Sequence, residues 1–274
     1  MIEAQGQSKD TSVSRPSVSN MRVIVTGGAS GIGRAVCAAL IERGAQVASI
    51  DRAGTDAPPP GALAASADLT DGEAVKRAVE DLILRMGGLD GVVHSAGIGA
   101  VGAVEANGDA EWQRVYDVNV VGVVRVMRAA LPALRDSPNA SVVTICSVAS
   151  ESGLSERAVY SASKGALLAL TLSMATDLLA DGVRVNAVAP ATTDTPWVAR
   201  LLDAAPDQAQ ARAALVARQP LHRLIRPEEV AHAVSYLLDP ASASTTGSVL
   251  HVDGGFTRLR PAQGIPSGAN AVES

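Results

Sequence analysis

The stretch MRVIVTGGASGIG, residues 21–33, decides the fold predicted from this sequence. Residues 21–26 are almost continuously apolar, which is typical of a strand buried on both faces of a parallel sheet. GGASGIG follows directly, and a helical pattern begins at about Ile32 and runs to Arg43. A strand, a glycine-rich turn and a helix in this order predict the first half of a βαβ unit.

The glycine-rich turn indicates a site for the pyrophosphate of a dinucleotide. Glycine lets the backbone turn sharply and approach the pyrophosphate closely. The helix that follows adds free N–H groups and the positive end of its dipole. The residues expected at this contact are Gly27, Ser30, Gly31, Ile32 and Gly33.

An acidic residue at the end of the next strand bears on which dinucleotide is bound. The strand is predicted over 46–50, and Asp51 follows it, eighteen residues beyond Gly33. A carboxylate there accepts hydrogen bonds from the adenosine ribose and repels a 2′-phosphate, so it favours NAD over NADP. Arg52 comes next and would instead attract that phosphate, so NADP remains the less favoured alternative.

Ser147, Tyr160 and Lys164 are the candidate catalytic residues. Tyr160 lies thirteen residues after Ser147 and four before Lys164, and residues four apart share one face of a helix. An ammonium beside a phenol favours the phenolate, so Tyr160 can exchange a proton with a substrate oxygen near neutral pH. Ser147 follows the apolar run 141–146, so we expect its hydroxyl at a strand's carboxyl end, where open α/β sheets bind ligands.

The order of these motifs resembles that of the short-chain dehydrogenase/reductase family, in its shorter single-domain subtype. The resemblance covers residues 21 to about 258. The motifs that carry it are TGGASGIG at 26–33, Asp51, Asp68-Leu69, HSAG at 94–97, Asn119, Ser147, Tyr160 with Lys164, APATTDTP at 189–196, and VDGG at 252–255.

The resemblance implies a role for each matched catalytic residue. Tyr160 would be the general acid/base, and Lys164 would support its phenolate and bind the nicotinamide ribose. Ser147 would hold the substrate oxygen. Asn119, within the helix-like segment 111–134, would help order a water chain that reaches Lys164.

The resemblance also implies cofactor contacts beyond the glycine-rich turn. Asp68 and Leu69 would contact the adenine, and the segment Ser95, Ala96 and Gly97 would line the adenosine side. The stretch from Pro190 to Thr195 would cover the nicotinamide, with Thr193 and Thr195 near its carboxamide or the phosphates.

Two motifs depart from the family pattern. The usual Asn-Asn-Ala-Gly is HSAG at 94–97, from which we expect a local structural change and no loss of chemistry. The usual Pro-Gly after the sixth strand is Pro190-Ala191. The alanine side chain is expected to narrow the site beside the nicotinamide or to alter the dihedral angles of the loop.

Strand-like and helix-like segments alternate along the chain. This alternation predicts an α/β fold with a doubly wound, Rossmann-like parallel sheet of about seven strands and helices on both faces. Strands are predicted at 21–26, 46–50, 62–66, 90–95, 141–146, 183–188 and 248–252, and the longer helices at 32–43, 71–86, 110–134, 158–180 and 227–238. One catalytic domain is expected over 21–258, between a disordered tail at 1–20 and a second tail at 259–274.

Composition argues against several other classes of protein. The net charge is −5 and the chain has six aromatic residues, so a nucleic-acid surface is not expected. Cys37 and Cys146 suit buried positions in a reducing compartment, and the four histidines lack the spacing of metal ligands. No segment is expected to reach the apolar length of a membrane span, and the polar N-terminus does not resemble a signal peptide, so a cytoplasmic location is expected.

Residues 191–223 interrupt the regular alternation and, by the family resemblance, form a mobile lid over the substrate. The residues expected to line the substrate pocket are Ser147, Val148, Glu151, Leu154, Ala191 and Trp197. Glu151 is expected to bind a polyol hydroxyl or, more commonly for a loop carboxylate, to face solvent. The stretch 158–180 is apolar on more than one side, and the resemblance implies a homodimer or homotetramer.

These residues predict an NAD-dependent oxidoreductase that interconverts a secondary alcohol and a ketone by hydride transfer, with a sugar, polyol or cyclic alcohol as substrate. One alternative is an NADPH-dependent ketoreductase of a biosynthetic pathway. Another is a nucleotide-binding regulator that has lost catalysis, which the presence of all the catalytic residues disfavours.

Overall fold

A computed structural model describes residues 17–52 and 60–260. Within these ranges, seven strands pair in parallel into one sheet: β1 (Arg22–Thr26), β2 (Gln46–Asp51), β3 (Leu63–Ser66), β4 (Gly91–His94), β5 (Ser141–Ile145), β6 (Arg184–Pro190) and β7 (Val249–Val252). Their order is β3-β2-β1-β4-β5-β6-β7. The predicted doubly wound parallel sheet is confirmed, and each predicted strand boundary lies within two residues of the observed one.

Helices cover both faces of this sheet. They are α1 (Gly31–Glu42), α2 (Gly72–Met86), α3 (Asp109–Tyr116), α4 (Gly122–Arg135), α5 (Ala158–Asp177), α6 (Pro196–Asp203), α7 (Gln208–Ala217) and α8 (Pro227–Leu238). Helices α1 and α8 pack on one face, and α2, α4 and α5 on the other. Successive side chains of a strand point to opposite faces, so Ile24 of β1 enters one core while Val23 and Val25 enter the other, all three fully buried. The apolar run that opens the fold is therefore used on both sides.

The folded unit extends beyond the predicted start of the domain. Val18 is 2% exposed and packs in the same core as Met21 and Leu40. The backbone N–H of Asn20 donates to the carbonyl of Gly44 at 2.9 Å. The boundary predicted at residue 20 thus falls inside the ordered part of the chain, and the rest of the predicted tails, 1–16 and 261–274, lies outside the described residues.

The single helix predicted over 110–134 is wrong in its middle. A π-helical turn at Asp117–Val121 separates α3 from α4, and the N–H of Gly122 donates to the carbonyl of Asp117, five residues earlier. Gly122 itself lies against Leu69, since a Cβ atom added there would be 2.9 Å from that of Leu69. Short π turns inside helices are frequent at functional sites, and this one carries Asn119.

The expectation that no segment is apolar enough to span a membrane is also wrong, because α5 is long and apolar enough by composition alone. Its apolar residues instead serve the core, where Leu167 and Ala175 are buried, and part of its surface leaves Leu172 42% exposed. A core helix that is apolar on several sides passes the same test. Its apolarity therefore has an explanation within the fold.

His94 occupies the end of the central strand β4, where the family pattern differs from this chain. The side chain is 2% exposed, and neither ring nitrogen has a hydrogen-bond partner among the described residues. Burial lowers the pKa of His94 to about 3, so the imidazole is neutral in the folded protein. In the unfolded chain, where the pKa is near 6.5, the same ring takes up a proton as the pH falls.

This difference predicts a pH dependence of stability. Below about pH 6.5 and down to about 3 the unfolded state binds a proton that the folded state does not, so His94 makes the free energy of unfolding fall by up to about 1.4 kcal/mol per pH unit. In His94→Leu this contribution should disappear, and chemical denaturation at pH 7, 6, 5 and 4 would measure it. Parallel stability curves for the two proteins would contradict the assignment.

Candidate active site

The candidate site lies at the carboxyl edge of the sheet. The chain order changes direction between the neighbouring strands β1 and β4, and ligands of open α/β sheets bind at such a switch point. The segments that leave the strands on this edge are 27–30 after β1, 95–108 after β4, 146–157 after β5 and 191–195 after β6. They contain most of the residues predicted for the site.

The glycine-rich turn is packed so closely that side chains are excluded. Gly27 has a φ of 71°, and a Cβ atom there would lie 2.8 Å from the Cα of Ala96. A Cβ atom on Gly33 would overlap the carbonyl of Gly27. Predicted cofactor residues from 27–33 and 95–97 are therefore in direct contact, and the backbone at the start of α1 is left open to an anion.

The segment after β6 reaches the same turn. A Cβ atom on Gly31 would lie 3.4 Å from the Cγ2 methyl of Thr195. Thr195 is the N-cap of α6, and its hydroxyl accepts a hydrogen bond from the N–H of Val198 at 3.4 Å. Thr193 is 6% exposed and its hydroxyl donates to the carbonyl of Ala191 at 3.0 Å. The loop predicted to cover the nicotinamide thus adjoins the pyrophosphate turn.

Pro190 and Ala191 are both buried at the end of β6. The N–H of Ala191 donates to the carbonyl of Val252 at 3.2 Å, which extends the pairing of β6 with β7. Ala191 has no positive φ, so alanine at this departure from the family pattern adopts ordinary backbone angles. Its methyl group packs with the core and takes the place that a glycine would leave empty.

Asp51 connects the end of β2 to the glycine-rich turn. Its carboxylate accepts hydrogen bonds from the N–H of Ala29 at 3.1 Å and from the N–H of Arg52 at 2.8 Å. Each carboxylate oxygen has further acceptor capacity. The acidic group predicted to meet the ribose is therefore fixed in direction by the turn that would meet the pyrophosphate.

Asp68 and Leu69 follow β3 on the adenine side predicted from the family pattern. The N–H and hydroxyl of Thr70 donate to Asp68 at 2.9 and 2.8 Å, and these hydrogen bonds hold the pKa of the Asp68 carboxyl below its usual value. Leu69 is 7% exposed, and its carbonyl accepts a hydrogen bond from Arg125 of α4 at 2.8 Å. Both residues are thus held in place by neighbours.

Lys164 is buried inside the site, with 5% of its surface exposed. Its ammonium donates to the carbonyl of Ile145, the last residue of β5, at 2.7 Å. The nitrogen lies 5.9 Å from the centroid of the Tyr160 ring. The two residues do share one side of α5, as the four-residue spacing predicts, and Lys164 ties that side to the edge of the sheet.

Asn119 of the π turn is fully buried and uses its whole amide group. Its Oδ1 accepts from the N–H of Ile98 at 2.8 Å, while its Nδ2 donates to the carbonyl of Ile98 at 2.9 Å and to the hydroxyl of Ser163 at 3.0 Å. A Cβ atom on Gly97 would lie 3.3 Å from this Oδ1 and 3.5 Å from the Lys164 nitrogen. The structure therefore brings Asn119, Gly97 and Lys164 together around one small space.

Ser147 lies directly after the end of the β5 run and is 8% exposed. Its oxygen accepts a hydrogen bond from the N–H of Ala149 at 3.1 Å, which leaves the hydroxyl proton available to donate. The short 3-10 turn Val148–Ser150 that follows packs on α5, and the Ser150 hydroxyl donates to the carbonyl of Lys164 at 3.0 Å. The predicted serine, tyrosine and lysine thus belong to one packed unit.

Trp197 forms the outer wall of the predicted substrate side. A Cβ atom on Gly99 would overlap the indole ring, so the ring rests directly on the backbone after β4. Trp197 is 38% exposed, whereas Val148 is buried and Leu154 packs partly buried against the core. Of the predicted lining residues, Trp197 is thus the apolar group most open to a ligand.

Glu151 has a partner that the sequence did not suggest. Its Oε2 lies 2.6 Å from the Nε2 of His251 on β7, and both side chains are more than two-thirds buried. The expectation of a solvated carboxylate or a free polyol ligand therefore gives way to an ion-pair or hydrogen-bond partnership across the sheet edge. No short-range pattern links two residues a hundred positions apart.

The predicted lid, 191–223, contains the helices α6 and α7 and is anchored at its base. The N–H of Ile225 donates to the carbonyl of Thr192 at 3.0 Å, and the N–H of Asp194 donates to Ile225 at 2.8 Å. Val198, Leu202 and Leu224 form a small apolar cluster of their own. The lid is therefore a folded unit with its own core.

Comparison with known proteins agrees with this geometry. A family model described as enoyl-(acyl carrier protein) reductase matches residues 27–257. Together with the relatives below, this match shows that the chain belongs to the short-chain dehydrogenase/reductase family and is an oxidoreductase of that family.

The chain is similar to several named members. It is 38% identical over 246 residues to cis-4-hydroxycyclohexanecarboxylate dehydrogenase of Sinomonas cyclohexanicum, which covers 86% of this chain and 96% of that protein. It is 35% identical over 249 residues to 2-(S)-hydroxypropyl-CoM dehydrogenase 3 of Xanthobacter autotrophicus, covering 88% and 98%. The crystal structure of a single-residue variant of actinorhodin polyketide ketoreductase with NADPH matches with a TM-score of 0.81 at 28% identity, covering 88% and 98%.

The tight packing of the glycine-rich turn can be tested by Gly33→Ala. The new methyl group would overlap the Gly27 carbonyl, so the turn has to shift, and nicotinamide dinucleotide binding should weaken by about tenfold or more. Fluorescence titration with NADH and NADPH would measure this. Gly72→Ala is the matched control, because its Cβ atom would meet only Arg125 side-chain atoms at 3.8 Å. Equal affinities for wild type and Gly33→Ala would contradict the assignment.

Proposed function

We propose that the protein is an NAD-dependent oxidoreductase that interconverts a secondary alcohol and a ketone, with Tyr160 as the general acid/base. The observation that carries this proposal is the buried ammonium of Lys164, 5.9 Å from the centroid of the Tyr160 ring. In a site shielded from water, a cation at such a distance stabilises the phenolate more than it would in solution. Tyr160 is then suited to exchange a proton near neutral pH.

The neighbouring residues fit this chemistry. In the oxidation direction, the Tyr160 phenolate takes the hydroxyl proton of the alcohol, and in the reduction direction the phenol returns it. Ser147 donates its free hydroxyl proton to the substrate oxygen, since its lone pair already accepts from Ala149. Asn119 acts as a positioning residue that fixes Ile98 beside Lys164. The water chain through Asn119 remains a prediction.

The dinucleotide would be held by the glycine-rich turn, by Asp51 and by the segment from Pro190 to Thr195. When bound, it supplies the acceptor or donor of the hydride. The backbone surface left open by the close contact of Gly27 with Ala96 fits a pyrophosphate. The space beside Gly97 and Lys164 fits the nicotinamide ribose predicted to bind Lys164.

The preference for NAD rests on Asp51. Its carboxylate is held by the N–H groups of Ala29 and Arg52, and a 2′-phosphate at this position would meet a negative charge. The competing proposal is an NADPH-dependent ketoreductase, and it is favoured by the structural likeness to a polyketide ketoreductase bound to NADPH. A catalytically silent regulator has no specific observation in its favour.

The proposed substrate is a small alcohol or ketone, and a cyclic alcohol is favoured over a sugar or polyol by the likeness to a hydroxycyclohexanecarboxylate dehydrogenase. Glu151, the candidate polyol ligand, is already bound to His251. We also propose a cytoplasmic homodimer or homotetramer. The exposed Leu172 on α5 supports an assembly through this helix, and size-exclusion chromatography with light scattering would test it.

The role of Tyr160 predicts that Tyr160→Phe loses turnover by a factor of about 10² to 10⁴, the usual contribution of general acid–base catalysis. NADH binding should change little, because the ring and its place on α5 are kept. Steady-state rates with cyclohexanol and cyclohexanone, and NADH titration, would measure the two effects.

The matched control for this change is Tyr236→Phe, which removes a hydroxyl from a tyrosine that is 50% exposed on α8. This variant should keep wild-type rates. A Tyr160→Phe enzyme with near-wild-type turnover would show that another group carries the proton.

The assignment of Asp51 predicts the effect of Asp51→Asn. The amide oxygen can still accept the hydrogen bond from Ala29, while the charge that repels a 2′-phosphate is removed, so the NADPH-to-NADH affinity ratio should rise by about tenfold. Asp81→Asn is the control, because it removes the same charge from an exposed position on α2. Tighter binding of NADPH than of NADH by the wild-type protein would overturn the NAD preference.

A further inference from the structure

Arg157 is fixed next to the proposed catalytic tyrosine. It is the N-cap residue of α5, three positions before Tyr160. Its backbone forms a bridge with Gly102, because the N–H of Gly102 donates to Glu156 at 3.0 Å and the N–H of Ala158 donates to Gly102 at 3.2 Å. The segment after β4 therefore holds the start of α5, and with it the Arg157 side chain, at the rim of the site.

The guanidinium of Arg157 is half-buried but has no acidic partner. It donates to the carbonyl of Glu156 at 3.1 Å, and no carboxylate oxygen of the described residues lies within 4.0 Å of it. A partly desolvated charge is normally paired. The exposed carboxylate of Glu156 is close enough to attract Arg157, but it forms no ion pair with it.

A second cation faces the first. Arg218 directly follows α7 of the lid, is exposed, and has no ion pair in the described part of the chain. It lies close enough to Arg157 to repel its charge: burial lowers the pKa of Arg157, and the positive charge of Arg218 lowers it further. Bringing two guanidinium groups together without an acid between them is unfavourable unless an anion joins them.

The helix end adds to the same positive field. The N-terminus of α5 has no acidic residue in its first turn and no side-chain cap. The positive end of a helix dipole favours negative charge and disfavours the cation that occupies its N-cap here. Two arginines and an uncapped helix end thus create a positive region within one helical turn of Tyr160.

We propose that Arg157 and Arg218 bind a carboxylate group carried by the substrate, so that the enzyme acts on hydroxy or oxo acids in preference to neutral alcohols and ketones. Arginine binds carboxylates through paired hydrogen bonds with fixed geometry. One arginine belongs to α5 and the other to the lid, so the carboxylate would connect the lid to the catalytic helix. This inference rests on the proposed function for the identity of the reacting group.

The likeness to a dehydrogenase named for a hydroxycyclohexanecarboxylate agrees with this substrate class. The competing explanation is that the two arginines act on the Tyr160 phenolate, which attracts Arg157. In that case their loss would affect all substrates alike and would shift the pH profile of turnover. A carboxylate-binding role instead affects only acidic ligands.

The test compares an acid with its neutral amide. Binding of cyclohexanecarboxylate and of cyclohexanecarboxamide to the full-length protein saturated with NADH is measured by calorimetry, for wild type, Arg157→Gln, Arg218→Gln and the double variant. Wild type should prefer the acid, and each single variant should bind it about tenfold more weakly. The amide should bind all four proteins within about twofold. Arg218→Lys, which keeps the charge, should retain most of the acid binding.

Arg85→Gln is the control for loss of one positive charge, because Arg85 is an exposed residue on α2 that pairs with Asp81. It should bind both ligands as wild type does. Arg218 lies at the exposed end of a helix, so Arg218→Gln gives a result even where Arg157→Gln fails to fold.

The outcomes separate the two proposals. Equal binding of acid and amide by wild type, or equal losses for both ligands in the variants, would overturn the carboxylate site. Steady-state rates with cis-4-hydroxycyclohexanecarboxylate and its methyl ester then test the reaction: a KM increase for the acid alone supports the site, and a common fall in kcat contradicts it. Arginine-dependent acid binding without turnover of any alcohol would leave the site in place and refute the proposed function.

Discussion

The buried ammonium of Lys164 is the charge around which the site is organised. A buried cation needs partners, and here the carbonyl of Ile145 at the end of β5 accepts its hydrogen bond at 2.7 Å. The bond fixes α5 to the edge of the sheet, and with α5 it fixes Tyr160. Asn119 supports the opposite side of the same space by holding both the N–H and the carbonyl of Ile98. A site that handles protons is thus built from rigid elements.

Local patterns in the sequence were sufficient for much of this arrangement. The apolar run at 21–26 predicts its strand because every residue from Val23 to Val25 is buried. The spacing of Tyr160 and Lys164 predicts their shared side of α5, because helix geometry is the same in every protein. The glycine-rich turn is recognisable for a related reason, since close backbone contacts leave no other residue type possible at Gly33.

Contacts between distant segments could not be predicted in this way. The π turn at Asp117–Val121 depends on what Asn119 meets in the segment after β4, and nothing in the helical pattern of 110–134 shows it. The partnership of Glu151 with His251 joins β7 to the loop after β5. The meeting of Arg157 with Arg218 depends on how the lid folds back. In each case one partner is readable only when the other is already in place.

The contact between Gly31 and Thr195 has a consequence for synthesis of the protein on the ribosome. The pyrophosphate turn is made early, whereas the methyl group that adjoins it belongs to a residue 164 positions later in the chain. A nascent chain that ends before β6 therefore has the turn without its neighbouring wall. The complete crevice is a late product of translation, although its most recognisable motif is among the first parts of the described chain to emerge.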